Sequence, residues 1–319
     1  MAPAQCNIHW NSLTPQQWQD HLGKTRRAPL LQDARYGVAM ARQNRQQTRC
    51  GLIMIDGVEA GLVQILEAQA FGRLLHAPIL DRGPVWFEGF GADDHWRAFL
   101  ERLQKDMPRR PGRRRRIMPE LEDSDRTRTW MSDLGFKPIK DITGYRTFWL
   151  ALDKEYDALR NGLKQKWRNI LNKAERSDIA TSWHYDPQNL RPVLEGYHRD
   201  KQEKGYTGPS QRTLLELAKH FMPGRDMLIG HAFSGEDMIA SVLIFIHGAS
   251  ATYQVGWTTR QGRHSGAHHL LLWQACSRLQ SRAILDFDLG GFNDDQANGL
   301  YKFKAGMGGK ETLLVGAYH

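Results

Sequence analysis

Twice along this chain, two apolar runs flank a tight polar turn, and each pair is followed by an amphipathic segment and a further short apolar run. In the first half the runs are Cys50 to Ile55 and Glu59 to Leu66, around Asp56-Gly57. Asp-Gly between apolar runs is a strong hairpin signal, because both residues tolerate the left-handed backbone such turns need. Asp93 to Lys105 then reads as a helix with Trp96, Phe99, Leu100 and Leu103 on one face, followed by a short strand at Arg116 to Pro119 and a helix from Asp123 to Leu134. In the second half Asp157 to Arg176 reads as a basic helix and Gln211 to His220 as another. Met227 to Phe233 and Met238 to His247 form a hairpin across Ser234-Gly235-Glu236-Asp237, and Ala251 to Val255 adds a strand. Ser265 to Leu279 is an amphipathic helix, Ile284 to Asp288 a strand, and Thr312 to Tyr318 a closing strand. The order fits an α/β (α+β) architecture. It implies two tandem domains of the acetyltransferase type, each a mixed, mostly antiparallel sheet flanked by helices, with a boundary near Trp149 to Asp153: residues 1–150 and 151–319.

The length of 319 residues suits two domains. The longest apolar stretch, Met238 to Ile246, is broken by Ser241 and is far short of the roughly 20 residues a membrane helix needs. The N-terminus lacks the apolar segment of a secretory signal. Three scattered cysteines, with no C-x-x-C, argue against a disulfide framework or a cysteine zinc site. These features lead us to expect a cytoplasmic protein with no integral membrane segment. Motifs for a P-loop, a nucleophile elbow and an H-E-x-x-H zinc site are all absent from the sequence. His264 and His268 sit four apart beside His269, but no further ligand stands near them, so no metal is expected.

The formal net charge of +9 favours polyanionic partners: tRNA, nucleotide diphosphates, coenzyme A or anionic lipid surfaces. Much of it is local: Arg109, Arg110, Arg113, Arg114, Arg115 and Arg116 crowd one segment. That run reads either as a solvated loop or as a phosphate-backbone contact. Arg263-His264-Ser265-Gly266-Ala267-His268 precedes a helix and partly matches the [RQ]-x-x-G-x-[GA] loop that cradles the coenzyme A diphosphate in acetyltransferases. Free N–H groups at a helix start form an anion site, so Arg263, Ser265, Gly266 and Ala267 are the candidate donor-phosphate ligands. His268 stands where that loop wants a tiny residue.

D-L-G-G at Asp288 to Gly291, followed by G-L-Y-K-F-K-A-G-M-G-G at Gly299 to Gly309, resembles the C-terminal signature of the Fem family of peptidoglycan-bridge aminoacyltransferases. L-K-Q-K-W-R-N-I-L-N-K-A-E-R (Leu163 to Arg176) resembles the basic helix opening that family's second domain, and L-L-Q-D-A-R-Y-G (Leu30 to Gly37) its N-terminal L-Q-x-x-x-[WY]-G segment. The resemblance implies an N-acyltransferase that moves an amino acid from aminoacyl-tRNA to an amine of a peptide or peptidoglycan precursor, with no bound cofactor. It places Lys304, with Phe303 beside it, where the tetrahedral intermediate forms, and assigns Tyr206, Arg168 and Tyr301 to the acceptor. Aminolysis of an ester needs a positioned carbonyl and a donor for the developing oxyanion, which a lysine ammonium supplies without a covalent nucleophile. Asp288 reads either as a base for the incoming ammonium or as the group that ties down the Gly290-Gly291 turn. Glu203-Lys204-Gly205-Tyr206 falls where the family often shows R-x-G-[FY], with Glu203 replacing the arginine, and the helical-hairpin insertion of some members is missing. Two other readings stand beside this one: an acyl-coenzyme A-dependent N-acetyltransferase of the same fold, and a nucleic-acid-binding protein with a degenerate transferase fold.

Overall fold

Asp56 and Gly57 turn the chain in the left-handed region, at φ of 50° and 84°, and the apolar runs on either side zip into strands. The computed structural model describes residues 3–292 and 297–319. It divides into two units, 1–145 with 313–319, and 146–312.

The first unit holds strands β1 (Cys6–Trp10), β2 (Gln47–Ile55), β3 (Val58–Ala70), β4 (Leu75–Gly83), β5 (Val85–Trp86) and β6 (Arg116–Pro119). Its helices are α1 (Pro15–Gly23), α2 (Ala34–Asn44), α3 (Asp93–Asp106) and α4 (Asp125–Asp133). The sheet order is β1-β2-β3-β4-β6, with β5 also on β3. All pairs are antiparallel except β4 with β6. Helix α3 buries the expected Trp96, Phe99, Leu100 and Leu103. They pack with Ile8, Ile53, Val63, Leu80, Ile117 and Met131. The L-L-Q-D segment is a staple: the buried Gln32 amide donates to the carbonyls of Gln64 and Asp81 and accepts from Gln64 N–H at 2.7 Å. Asp33 caps α2 through Arg35 N–H.

Most of the arginine run is fastened to the fold, while Arg114 stays exposed. Arg109 donates to the carbonyls of Gly135 and His319, Arg110 to those of Arg73 and Leu74, and Arg113 to that of Pro108. Arg115 is buried, bonded to Met107 O at 3.0 Å, and Arg116 pairs with Asp81 at 3.0 Å. A guanidinium fork can cap several carbonyls at once, which suits a segment with little regular structure.

The second unit holds β7 (Arg146–Ala151), β8 (Ile179–His184), β9 (Met227–Ser234), β10 (Asp237–His247), β11 (Ser250–Thr258), β12 (Asp286–Asp288) and β13 (Lys310–Leu313). Its helices are α5 (Tyr156–Gly162), α6 (Gln165–Glu175), α7 (Leu190–Lys204), α8 (Gln211–Phe221), α9 (Arg260–Ser265), α10 (Ala267–Gln280) and α11 (Ala297–Ala305). The sheet order is β13-β7-β12-β11-β10-β9-β8. The long apolar run becomes β10 at the sheet's centre. Ile244 and Ile246 join the core that α6 and α10 cover, while the alternate Phe245 meets Phe221 of α8 at 4.9 Å. β11 and β12 pair in parallel, over Ser250–Asp286, Ala251–Phe287 and Thr252–Asp288.

Two expectations change, and one motif with no element assigned receives one. The basic helix is two helices, α5 and α6. Leu163 and Lys164 stay extended, so that Lys164 N–H reaches Gly306 O at 2.9 Å. The F-K motif lies on a helix, α11. The segment 313–319 belongs to the first unit: Tyr318 bridges Ile117, and Val315 and Tyr318 sit in the first core. The spacer 293–296 within the Fem-like signature lies outside the described residues.

Candidate active site

Past Thr252 and Asp288 the parallel strands part. β11 runs on to Thr258, while the chain after β12 turns at Gly290. Such strand ends leave unpaired backbone groups facing a shared space, the usual setting of sites in α/β folds. Asp288 is fully buried and accepts from Gly290 N–H at 2.9 Å and from the Thr147 hydroxyl at 2.5 Å. It therefore ties down the turn, the second of the two roles read from the sequence. Gly290 has φ of 76°, and a Cβ there would lie 2.6 Å from Tyr253 O, so no other residue fits.

The turn offers two carbonyls to one cation. Lys304, 4% exposed, donates to Gly290 O at 2.7 Å and Gly291 O at 3.0 Å. Its Nζ lies 5.9 Å from the ring centres of both Tyr253 and Phe292. Burial pushes its pKa down from 10.5 to about 8, and Asp288 acts against that shift. An ammonium has three protons, and two are committed among the described residues.

Around this lysine stands an aromatic and imidazole cluster that composition could not reveal. Tyr253 Oη and His268 Nε2 are 3.0 Å apart. Phe303 meets the rings of His268 at 5.3 Å and His269 at 4.9 Å, and His269 packs on Trp167 at 4.8 Å. Burial holds His268 down to about 3 and His269 to about 4, so both rings are neutral at pH 7. Tyr253 is buried. Burial raises its pKa, and the nearby groups Tyr206, Asp200 and Tyr197 raise it further, so the hydroxyl keeps its proton. Tyr206 Oη donates to Asp200 at 3.1 Å. The structure thus brings Lys304, Phe303, Asp288 and Tyr206 into one neighbourhood. It adds Thr147, Tyr253, His268 and Trp167, which were not singled out for the site, although His268 ended the quoted loop motif and Trp167 lay inside the basic helix motif.

Other expected residues stand elsewhere. Tyr301 donates to Glu311 at 3.0 Å and packs on Phe148 and Phe292. Arg168 is half-buried on α6. The donor-phosphate loop is corrected. Arg263 and Ser265 lie in the short helix α9, where Arg263 donates to Thr258 O and Ser265 to Gly262 O. Gly266, at φ of 80°, joins α9 to α10, and a Cβ there would lie 2.8 Å from the Ile170 side chain. Ala267 is buried. Gly266 is a helix-packing contact with α6, where it faces Ile170 and Ala174. Among the described residues no group of three or more His, Cys, Asp or Glu is placed to hold a metal ion.

Residues 158–305 match the family model of the acetyltransferase (GNAT) domain, a segment that contains Asp288, Phe303 and Lys304. The second unit carries an acyltransferase domain. Solved structures similar to the whole chain include FemX, at 14% identity and a TM-score of 0.79, covering 97% of this chain and 96% of that one. A conserved protein of unknown function from Bacteroides thetaiotaomicron follows at 14% identity and a TM-score of 0.60, covering 98% of each chain. L-PGS from Bacillus licheniformis is similar at 14% identity and 0.53, over 96% of this chain and 92% of that one. No curated protein sequence matches the chain. The likeness extends over both units, so the acetyltransferase domain and the preceding unit together adopt the tandem fold expected from the sequence. No helix among the described residues is long and apolar enough to cross a membrane.

Proposed function

We propose that this acyltransferase is an aminoacyltransferase that takes its acyl group from charged tRNA and gives it to an amine of a peptide or peptidoglycan-precursor-like acceptor. One observation carries the reading: the buried Lys304 ammonium, fixed by two carbonyls of the D-L-G-G turn, keeps one proton uncommitted among the described residues. The acceptor amine attacks the ester carbonyl of the donor. The carbonyl π electrons move to oxygen, and Lys304 donates its third hydrogen bond to the oxyanion. Collapse expels the terminal ribose oxygen, which takes up the proton the amine loses. With a pKa near 8, Lys304 is about nine-tenths protonated at pH 7. It acts as a donor and is not consumed, so the absence of a serine or cysteine nucleophile beside it costs nothing.

The Fem-like signature and the whole-chain likeness to FemX support an aminoacyl donor, as does the likeness to the C-terminal domain of a putative lysylphosphatidylglycerol synthetase from Agrobacterium fabrum, whose name describes an aminoacylated product. The acetyltransferase family match favours a second reading with acyl-coenzyme A as donor. The packing of Gly266 against α6 weighs against that donor at the loop where the sequence suggested it. Incubation with separately charged tRNAs and with acetyl-coenzyme A, scored by mass spectrometry for acylated amines, separates the two. Product from acetyl-coenzyme A alone refutes the proposal.

A further inference from the structure

Three of the nine large apolar side chains exposed among the described residues fall within five consecutive positions: Phe71 at 77%, Leu74 at 69% and Leu75 at 52%. They form the tip of the β3–β4 hairpin, beyond the last strand pair Ala70–Leu75. Three successive left-handed residues, Phe71, Gly72 and Arg73, shape the loop, and Leu74 N–H closes it onto Phe71 O at 3.2 Å. Exposing this much apolar surface on one small tip is costly in water unless something covers it.

The arginine loop is fastened directly behind the tip. Arg110 grips the carbonyls of Arg73 and Leu74. Gly112 O accepts from His76 N–H and His76 O from Arg114 N–H, both at 2.9 Å. A Cβ at Gly112 would lie 2.2 Å from Leu74 O, so the loop approaches as closely as a backbone can. Residues 68–80 and 107–119 contain no acidic side chain. The nearest carboxylate, Glu67, is buried and already met by His76, Arg49 and Arg73. The tip is therefore apolar, and Arg73, Arg110, Arg113 and Arg114 stand in or directly behind it with no acidic side chain in either segment.

We propose that this tip seats on an anionic lipid surface, with Phe71, Leu74 and Leu75 entering the headgroup region and the arginines meeting lipid phosphates. A nucleic acid would use the arginines but leave the three apolar side chains in water. A bilayer with anionic headgroups takes both, since apolar insertion and charge attraction act together at such an interface. The inference is independent of the donor and acceptor proposed above, because it concerns the first unit alone.

The test is co-sedimentation of the full chain with vesicles of phosphatidylcholine, or of phosphatidylcholine with one quarter phosphatidylglycerol, at low and high salt. The expected result is at least about tenfold tighter partition onto the anionic vesicles, weakened by salt as screening requires. Phe71→Ser with Leu74→Ser should lower that partition at least about tenfold while leaving thermal unfolding unchanged, since both side chains are exposed. Arg73→Gln with Arg114→Gln should flatten the salt dependence. Equal binding to neutral vesicles, or full binding by the serine variant, overturns the proposal. So does a chain that ignores both vesicle types but binds bulk tRNA through these arginines, because that outcome makes the patch a nucleic-acid surface.

Discussion

Replacing Lys304 by methionine removes a charge that the fold buries at a cost, and the cost depends on pH in a way the site dictates. Burial lowers the lysine pKa from 10.5 to about 8. Below pH 8 the lysine is protonated in both folded and unfolded chains, and the folded state carries the whole penalty of about 3 kcal/mol, since each tenfold loss in proton affinity is worth about 1.36 kcal/mol. Between pH 8 and 10.5 the unfolded chain still binds the proton while the folded one has released it. The unfolded state then holds more protons, so stability rises with pH. From pH 7 to pH 10 the wild type should gain about 2.5 kcal/mol relative to Lys304→Met. The lysine is almost wholly enclosed, so solvent screening does not discount the figure. The hydrogen bonds lost to Gly290 and Gly291 shift the variant's stability by a constant and cancel from the difference. Urea unfolding of both proteins at the two pH values measures it. Parallel behaviour of wild type and variant across this window refutes the buried, depressed lysine and the oxyanion role built on it. In turnover the same variant should lose about 100- to 1,000-fold with little change in KM, the usual effect of removing one donor to a transition-state oxyanion.

Activity of the wild type should fall above about pH 8, as Lys304 loses the proton it donates; a rate that climbs steadily to pH 10 would contradict this. Gly290→Ala should cost about 1–3 kcal/mol, because its Cβ would strike Tyr253 O in a left-handed backbone, and denaturant unfolding reads the loss directly. Arg115→Ala should cost about 1–3 kcal/mol through the orphaned Met107 carbonyl, whereas exposed Arg114→Ala should stay within about 0.5 kcal/mol; equal effects would mean the arginine run is not built into the fold.

Strand and helix alternation, the Asp56-Gly57 turn and the α3 face were legible because period and turn chemistry are local properties. So was the family signature, whose glycines and lysine stand in fixed order. Its meaning was not: the order of residues does not say where Lys304 points, and only α11 turns it inward onto carbonyls fourteen and thirteen residues earlier in the chain. The glycine at 266 looked like a phosphate cradle, since a glycine before a helix marks a close approach without saying to what. Here the approaching group is the Ile170 side chain on another helix. The arginine run shows the same limit. Clustered charge says that guanidinium groups are near one another, but whether they face solvent depends on which carbonyls lack partners nearby, and that is settled only when the hairpin, the loop and the chain's last residues meet. The sequence by itself determined the elements and the candidate chemistry, because both follow from neighbours along the chain. Tertiary structure alone decided which polar groups meet, as the Lys304 ammonium meets the carbonyls of Gly290 and Gly291, because hydrogen bonds are satisfied in space and not in sequence.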